Sequence, residues 1–444
     1  AVASAVAQEL SGEFAKRNLE FLARQHRMRG SRGFSVAAEF VAAELRRSGL
    51  EEVEIVAIPA DGEIFYGTQR SRRPWDAEFA ELWELHQEGE RWTPARRLAS
   101  WDAVPLSLAQ DSESAEVVAE LESIGPGTAE VDYQGLDVRG RLVLTSSQPE
   151  AVVPLAVERF GAAGIVSYAQ NQRTAWWGED ESLVRWGHLG SFFAQPTFAF
   201  MVSPEVARGL ERRLAAGESV RLQATVRAGQ HPGAYQVVTA TIAGSDPALR
   251  TQEIVFSCHL DHPRPGANDN ASGCATILEV ARTLAKILAE GKMERPARTL
   301  RFLFPPEIEG TMAWLHHRPG SADSTRAAIH LDMVGGGPAT KSIFHVTRGP
   351  ASQPSFVHDV AAALGGFVNR ESAAFAASGS AAWPLQAPEG GKEPLQAELA
   401  DYTAGFGPRG LFLYVASLGQ ILGVASVLGP SPLGGTFAMV GPGS

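Results

Sequence analysis

Residues 253–273 read EIVFSCHLDHPRPGANDNASG. The first six, Glu253 to Cys258, form an apolar run of strand length, and a helical pattern, Cys274 to Leu288, follows the last. Between them His259, Asp261 and Asp269 gather at the end of the strand. Imidazole and carboxylate are ligands for a hard or borderline metal ion, and a strand-end loop can bring them together in a cleft. The His-x-Asp spacing adds to this, because a ligating His is usually oriented by a carboxylate on its other ring nitrogen, a part that Asp261 can fill for His259. Asp269 or Asn270 could instead cap the following helix. Capping accounts for one residue of the set and leaves the others unexplained.

Two later segments follow the same plan. Arg298 to Phe304 (RTLRFLF) is strand-like and ends in Pro305, Pro306, Glu307, Ile308 and Glu309. Ala327 to Leu331 (AAIHL) is strand-like and ends in Asp332, Met333 and Val334 before a run of glycines. In open α/β sheets, ligands sit in the crevice outside the carboxyl ends of the strands. Three apolar strands that each deliver an acid or an imidazole at that end therefore predict one shared site. Taken singly, Glu307 and Glu309 would suit a helix N-terminus and Asp332 a turn. Those separate roles do not explain the convergence.

In order, His259-x-Asp261, then Asn268 to Gly273 (NDNASG), then Glu307 after a strand, then Leu331 to Gly335 (LDMVG) resemble the zinc aminopeptidases with two co-catalytic metals. These are the relatives of aminopeptidase Y and bacterial leucyl aminopeptidase. The resemblance covers residues 236–350 and extends to 10–60. It implies hydrolysis of the peptide bond at a free N-terminus of a peptide or protein, through a metal-activated water. It implies zinc, one or two ions, with His259 on one ion, Asp269 bridging both and Asp332 completing one shell. Glu307 matches the family's general base. Two metals about 3.5–4 Å apart can hold nucleophile and substrate carbonyl together.

The chain departs from the family pattern at two places. Members carry two adjacent Glu residues, a base and then a ligand, where this sequence has Glu307 and Ile308. Glu309 is the nearest further carboxylate and is taken as a fourth candidate ligand, although neighbours on a helical turn diverge by about 100°. Members also end their site with a late His. No His follows His358 here, and Asp401 to Gly405 (DYTAG) leads into Phe406 instead of that motif. His262, inside the first loop, is the better stand-in, whereas His316 and His317 suit exposed or capping positions.

From Gly410 to Ser444 no residue is charged, where the overall 20% would give about seven. Residues 406–444 are therefore expected to be an atypical, Gly/Pro-rich tail in place of the family's ending, as a shifted reading frame would produce. Leu411 to Gly429 is long enough to span a membrane, but Ser417, Gln420, Ser426 and the glycines weigh against an anchor. An altered ending would leave a metal-weakened homologue that binds peptide or a protein partner without turnover.

At 444 residues and 44% hydrophobic content, the chain has room for two or three folded domains. Its net charge of -11 argues against nucleic acid as a partner, since phosphate binding needs a basic face. The two cysteines, Cys258 and Cys274, are expected as buried free thiols. Ala1 to Leu10 lacks the charged start and apolar core of a signal peptide, which assigns no compartment.

Four parts follow along the chain. Residues 1–105 form the N-terminal part of the peptidase domain: a helical pattern from Leu10 to Leu50, a strand from Val53 to Ile58, and a segment whose Trp75, Trp83, Trp92 and Trp101 pack a domain seam. Residues 115–230 form a separate block of short strands and two helices, 153–160 and 204–216. Its order, with Gly161 to Val166 (GAAGIV), resembles the protease-associated domain inserted in such aminopeptidases. Residues 236–405 are the catalytic core, and 406–444 the tail. The expected fold is α/β, a mixed, mostly parallel sheet flanked by helices, with an inserted α/β domain. No Gly-x-Ser-x-Gly elbow or His-Glu-x-x-His helix occurs, and Gly335 to Ser342 (GGGPATKS) lacks the second Gly of a phosphate loop.

Overall fold

The computed structural model describes residues 2–169, 181–335, 343–347, 357, 360, 361, 363, 364 and 410–416. They fall into two compact units, Ala1–Ser71 with Ala234–Ser444, and Arg72–Gly233.

The larger unit is built on one seven-stranded sheet. Its strands are β1 (Glu51–Ala60), β2 (Gly233–Ile242), β3 (Glu253–Ser257), β4 (Thr299–Phe304), β5 (Thr325–Asp332), β6 (Ile343–Thr347) and β7 (Gly410–Ala416). Their order across the sheet is β1-β2-β4-β3-β5-β7-β6. β3 runs parallel to β4 and to β5, while β2 and β7 pair antiparallel with β4 and β5. The three strands that carry the candidate residues are thus adjacent and parallel within a mixed sheet.

Both faces of this sheet are apolar, and successive side chains alternate between them. Leu300, Phe302 and Phe304 pack on one face with Leu22, Phe34, Val41 and Ile277 from the helices Gly12–Ala23, Arg32–Arg47 and Gly273–Ala289. Leu303, Val255, Val237 and Ala328 pack on the other with Met312, Ala313 and Trp314 of the helix Glu309–His317. Complete burial of Phe302 or Phe304 contributes about 1.5–3 kcal/mol each. The helical pattern read from Leu10 to Leu50 is two helices, and the side chains of Ser11 and Ser31 cap them by accepting the N–H groups of Phe14 and Phe34.

Charge holds the opposite end of β3. Glu253 accepts two hydrogen bonds of 2.9 Å from Arg301 on β4, and others of 2.9 and 3.1 Å from Arg318. Burial raises the Glu253 carboxyl, but the two guanidiniums outweigh it and keep the group below its usual range.

The cysteines correct one expectation. Cys258 and Cys274 are not free thiols but a disulfide, with Cα atoms 5.4 Å apart. The end of β3 and the start of the helix Gly273–Ala289 pack into the same core, which brings the two within bridging reach. Spacing along the chain does not reveal that contact.

The smaller unit has its own sheet. Ala115–Ser123, Leu142–Thr145, Gly164–Ser167 and Ala199–Met201 run parallel in that order. Arg221–Gln230 pairs antiparallel with Ala115–Ser123 and with Trp75–Glu88, which in turn pairs with Arg91–Ser100. Residues 72–105 therefore belong to this unit, not to the peptidase part as read from sequence. Trp75, Ala77, Ala80, Leu82 and Leu85 give Trp75–Glu88 its buried side chains, a pattern obscured by the neighbouring prolines. Pro94 lies in the edge strand, where proline is tolerated. Trp75 is buried with its indole N–H donated to the Ser112 carbonyl at 2.8 Å.

Part of the uncharged tail, Gly410–Ala416, is strand β7 of the larger sheet. Residues 401–409 and 417–444, and with them most of the tail and the approach to the late His motif, lie outside the described residues, as does Gly336 to Ser342. No helix among the described residues is long and apolar enough to cross a membrane.

Candidate metal centre

The register of β3 against β5 sets Ser257 opposite His330. Two residues further on, His259 and Asp332 leave the sheet side by side on the same face. His259 Nε2 lies 3.5 Å from Asp332 Oδ1 and 3.1 Å from Asp269 Oδ1. One ligand atom from each of the three residues falls within 4.8 Å of the others.

Asp269 reaches this point on a loop that is pinned from within. The buried guanidinium of Arg27 donates to the carbonyls of Leu260, Pro265 and Gly266 at 2.8, 3.1 and 2.5 Å. Burial lowers Arg27 to about 10, while Asp269 and Asp261 act to raise it. Beyond the loop, Gly273 opens the next helix directly against β5: a Cβ there would collide with the Leu331 carbonyl and the Asn270 side chain. Asn270 closes the join, donating to the Leu331 carbonyl at 2.9 Å and accepting the Met333 N–H at 3.2 Å. Sequence reasoning missed Arg27, which no local motif marks. Gly273 was visible only as the end of NDNASG.

Asp261 links the imidazole to Glu307. His259 Nδ1 lies 3.0 Å from the Asp261 backbone carbonyl and 3.5 Å from Asp261 Oδ1. A carbonyl only accepts, so Nδ1 carries a hydrogen and Nε2 is the ring nitrogen that faces the carboxylates. Asp261 Oδ1 accepts the backbone N–H of Glu307 at 2.7 Å. The side chain of Asp261 therefore fixes Glu307, and its carbonyl is the nearer partner of His259.

The chain turns sharply after Glu307. Ile308 has φ 51 and ψ -64, and the Glu309 N–H donates back to the Glu307 carbonyl. This is a γ-turn of the rare positive-φ kind. A β-branched residue there costs on the order of 1–3 kcal/mol. Met333, just after Asp332, also has positive φ, at 53. Local strain thus sits beside both acids.

Burial pushes the Glu307 carboxyl up to about 8, with His259 pulling it down and Asp269, Asp261 and Asp332 pushing it further up. Burial likewise takes Asp332 up to about 6 against the pull of His259. For His259, burial favours the neutral ring, but Glu307 and Asp332 outweigh it and hold the group well above its usual value. Desolvation raises Asp269, yet His262 and His259 keep it well below the carboxylate range. The site as a whole favours positive charge among its acids.

Among the described residues, His259 Nε2, Asp269 Oδ1, Glu307 Oε1 and both oxygens of Asp332 are buried without a hydrogen-bond partner. Such atoms are costly unless a cation joins them. Two ligand atoms of a tetrahedral zinc ion, each about 2.0–2.1 Å from it, stand about 3.3 Å apart. The observed separations of 3.1 and 3.5 Å match. The residues present fit a metal ion.

Glu309, the fourth candidate ligand, is not brought to this point. Its Oε2 accepts the Tyr235 hydroxyl at 2.9 Å and lies 3.9 Å from Arg29 Nε. The γ-turn at Ile308 separates it from Glu307 in direction. His316 and His317 are exposed at the end of their helix. His262 is close by, with Nε2 3.5 Å from Asp269 Oδ2.

Fold and ligand set together define a candidate metal-binding centre at the ends of adjacent parallel strands. More particularly, residues 237–381 match the family model of peptidase family M28, which bears out the resemblance read from the sequence. In fold the chain is similar to a peptidase M28 precursor from Shewanella amazonensis SB2B, at 16% identity and a TM-score of 0.54 over 89% of this chain and 84% of that one. It is also similar to BSAP, a zinc aminopeptidase from Bacillus subtilis, at 17% identity and a TM-score of 0.53 over 91% and 85%. An aminopeptidase from Aneurinibacillus sp. strain AM-1 is similar at 22% identity and a TM-score of 0.50 over 81% and 78%. No curated protein matches the chain in sequence. The expected α/β fold, a mixed sheet flanked by helices, stands.

Proposed function

We propose that this chain is a zinc-dependent aminopeptidase that hydrolyses the first peptide bond at a free N-terminus. The observation that carries the reading is the meeting of His259, Asp269 and Asp332 beside a Glu307 fixed by Asp261. His259 through Nε2, with Asp269 and Asp332 through carboxylate oxygens, would hold the zinc. Zinc there supplies Lewis acidity, which polarises a peptide carbonyl and makes water a nucleophile near neutral pH. Glu307 then takes the proton of the attacking water on Oε1, the buried oxygen without a partner, and returns it to the leaving amine. Asp261 holds the Glu307 backbone in place through this exchange. Burial raises the Glu307 carboxyl, so its proton affinity suits a group that must both accept and release a proton near neutrality.

We read residues 72–233 as a protease-associated-like insert on the order of its parallel strands. Residues of that unit take no part in the chemistry proposed.

The test is hydrolysis of aminoacyl anilides by zinc-replete protein, paired with their N-acetylated counterparts. Cleavage restricted to the free amines supports the reading. Equal cleavage of the blocked compounds, or none of either by protein that holds zinc, would overturn it.

A further inference from the structure

We propose that Glu309 is a positioning residue for the base: clamped by Tyr235 and Arg29, it holds the turn that aims the Glu307 carboxylate at the attacking water. The proposal rests on the reading of Glu307 as base and gives Glu309 a part other than metal binding. Glu309 opens the helix Glu309–His317 and is 3% exposed. Its Oε2 accepts the hydroxyl of Tyr235, fully buried on β2, at 2.9 Å. The same oxygen lies 3.9 Å from Nε of Arg29, whose side chain is 1% exposed.

Glu307 is held through its backbone. Its N–H donates to Asp261 Oδ1 at 2.7 Å, and its carbonyl accepts the Glu309 N–H. Among the described residues, Glu307 Oε1 has no hydrogen-bond partner, so no protein group fixes that oxygen directly. The direction of the carboxylate therefore follows the turn between 307 and 309. That turn passes through Ile308 at φ 51. A β-branched residue keeps such a conformation only where its surroundings over-determine it. Asp261 fixes the chain before the turn, and Glu309 fixes it after.

The start of the helix and the segment before it move as one piece. Gly310 packs so closely on Pro305 and Pro306 that a Cβ there would strike Pro306. The Met312 N–H donates to the Ile308 carbonyl at 2.9 Å. Whatever anchors Glu309 thus anchors Glu307. A buried carboxylate and guanidinium add little net stability over apolar side chains of similar volume, because both charges lose their water. What the clamp supplies is direction. Glu309 satisfies its charge only where Tyr235 and Arg29 stand, which sets the helix start, and the Glu307 carbonyl bonded to it, in one place.

The test joins geometry to kinetics on the zinc-loaded full chain. Crystal structures of the wild type, Tyr235→Phe and Glu309→Ala read the Ile308 φ and the place of the Glu307 carboxylate. Measurements of kcat, KM and zinc content follow for each variant, alone and combined with Glu307→Gln. The proposal expects Ile308 to leave positive φ in Glu309→Ala and the Glu307 carboxylate to shift by about 1 Å or more. Such a shift should lower kcat about 10–100-fold, with KM and zinc content nearly unchanged and a smaller loss of the same kind in Tyr235→Phe. In the Glu307→Gln background neither substitution should lower turnover further, because no base remains to misplace. A general loosening of the site would instead lower kcat by the same factor in both backgrounds, and that result overturns the proposal. So does an unmoved Glu307 in Glu309→Ala, or wild-type kcat in both variants. In each of those cases the base reading survives. Full activity in Glu307→Gln overturns both. Tyr235→Phe removes a single hydroxyl, so it carries the comparison if Glu309→Ala does not fold.

Discussion

Asp261 accepts the backbone N–H of Glu307 through Oδ1 at 2.7 Å, from a loop that lies 46 residues earlier in the chain. The same oxygen lies 3.5 Å from His259 Nδ1. The proposed base and a proposed ligand are therefore positioned by one residue, the base through its side chain and the imidazole chiefly through its carbonyl. Asp261→Ala should lower kcat about 10–100-fold and leave zinc content nearly unchanged. Asp261→Asn, whose amide oxygen can still accept the Glu307 N–H, should recover part of that loss. Steady-state kinetics with metal analysis on the two variants checks this. Equal activity in Asp261→Ala and wild type would remove Asp261 from the account.

Glu307→Gln should cut turnover by about 10²–10⁴ and retain zinc, because the amide cannot take a proton but lies outside the ligand set. Kinetics and metal content on one preparation separate the two effects. Retained turnover would refute the base assignment.

The Glu253 clamp predicts an acid-sensitive stability. Its carboxyl is depressed in the folded chain, so its stabilisation is complete above the unfolded value of about 4.3 and is lost as pH falls through the lower folded value. Glu253→Gln leaves buried Arg301 with only the exposed Glu52, 3.8 Å away, as counter-charge and should cost about 3–5 kcal/mol. The variant should also lose less stability than wild type on acidification below that pH. Urea unfolding from pH 3 to 7 reads both.

Gly273→Ala tests how closely the helix must approach β5. The added methyl meets the Leu331 carbonyl, so overpacking of about 1–3 kcal/mol is expected. Because Asp269 and Asp332 flank that join, zinc affinity should weaken together with the melting temperature. An unchanged affinity in a destabilised variant would show that the join carries stability alone.

The disulfide links the residue before His259 to the first turn of the helix that follows Asp269. Closing a loop of this length stabilises by about 3 kcal/mol. Reduction should lower unfolding stability by about that amount, and the Cys258→Ser and Cys274→Ser variants should match the reduced protein. Chemical unfolding with and without reductant measures it.

Much of the site was legible because its residue types stand out where they occur. His259, Glu307 and Asp332 each follow an apolar run, Asp269 lies in the loop after the first of them, and a parallel sheet brings the three ends together. The strands themselves were legible from runs such as RTLRFLF, where apolar side chains point to both faces. What escaped depends on contacts between segments far apart in sequence. Arg27 grips carbonyls more than 230 residues away, and no periodicity marks it. The Cys258–Cys274 bond and the pairing of Trp75–Glu88 with Arg221–Gln230 are tertiary facts of the same kind. Glu309 misled because its nearness to Glu307 in sequence hides the positive-φ turn at Ile308 that sends the two apart.

The most direct test is zinc per chain for the wild type and for Asp269→Asn, measured by atomic emission after zinc loading and removal of excess. The account predicts bound zinc in the wild type and its loss in the variant, because Asp269 faces His259 through one oxygen and His262 through the other. Equal zinc in the two proteins, or none in the wild type, would contradict it.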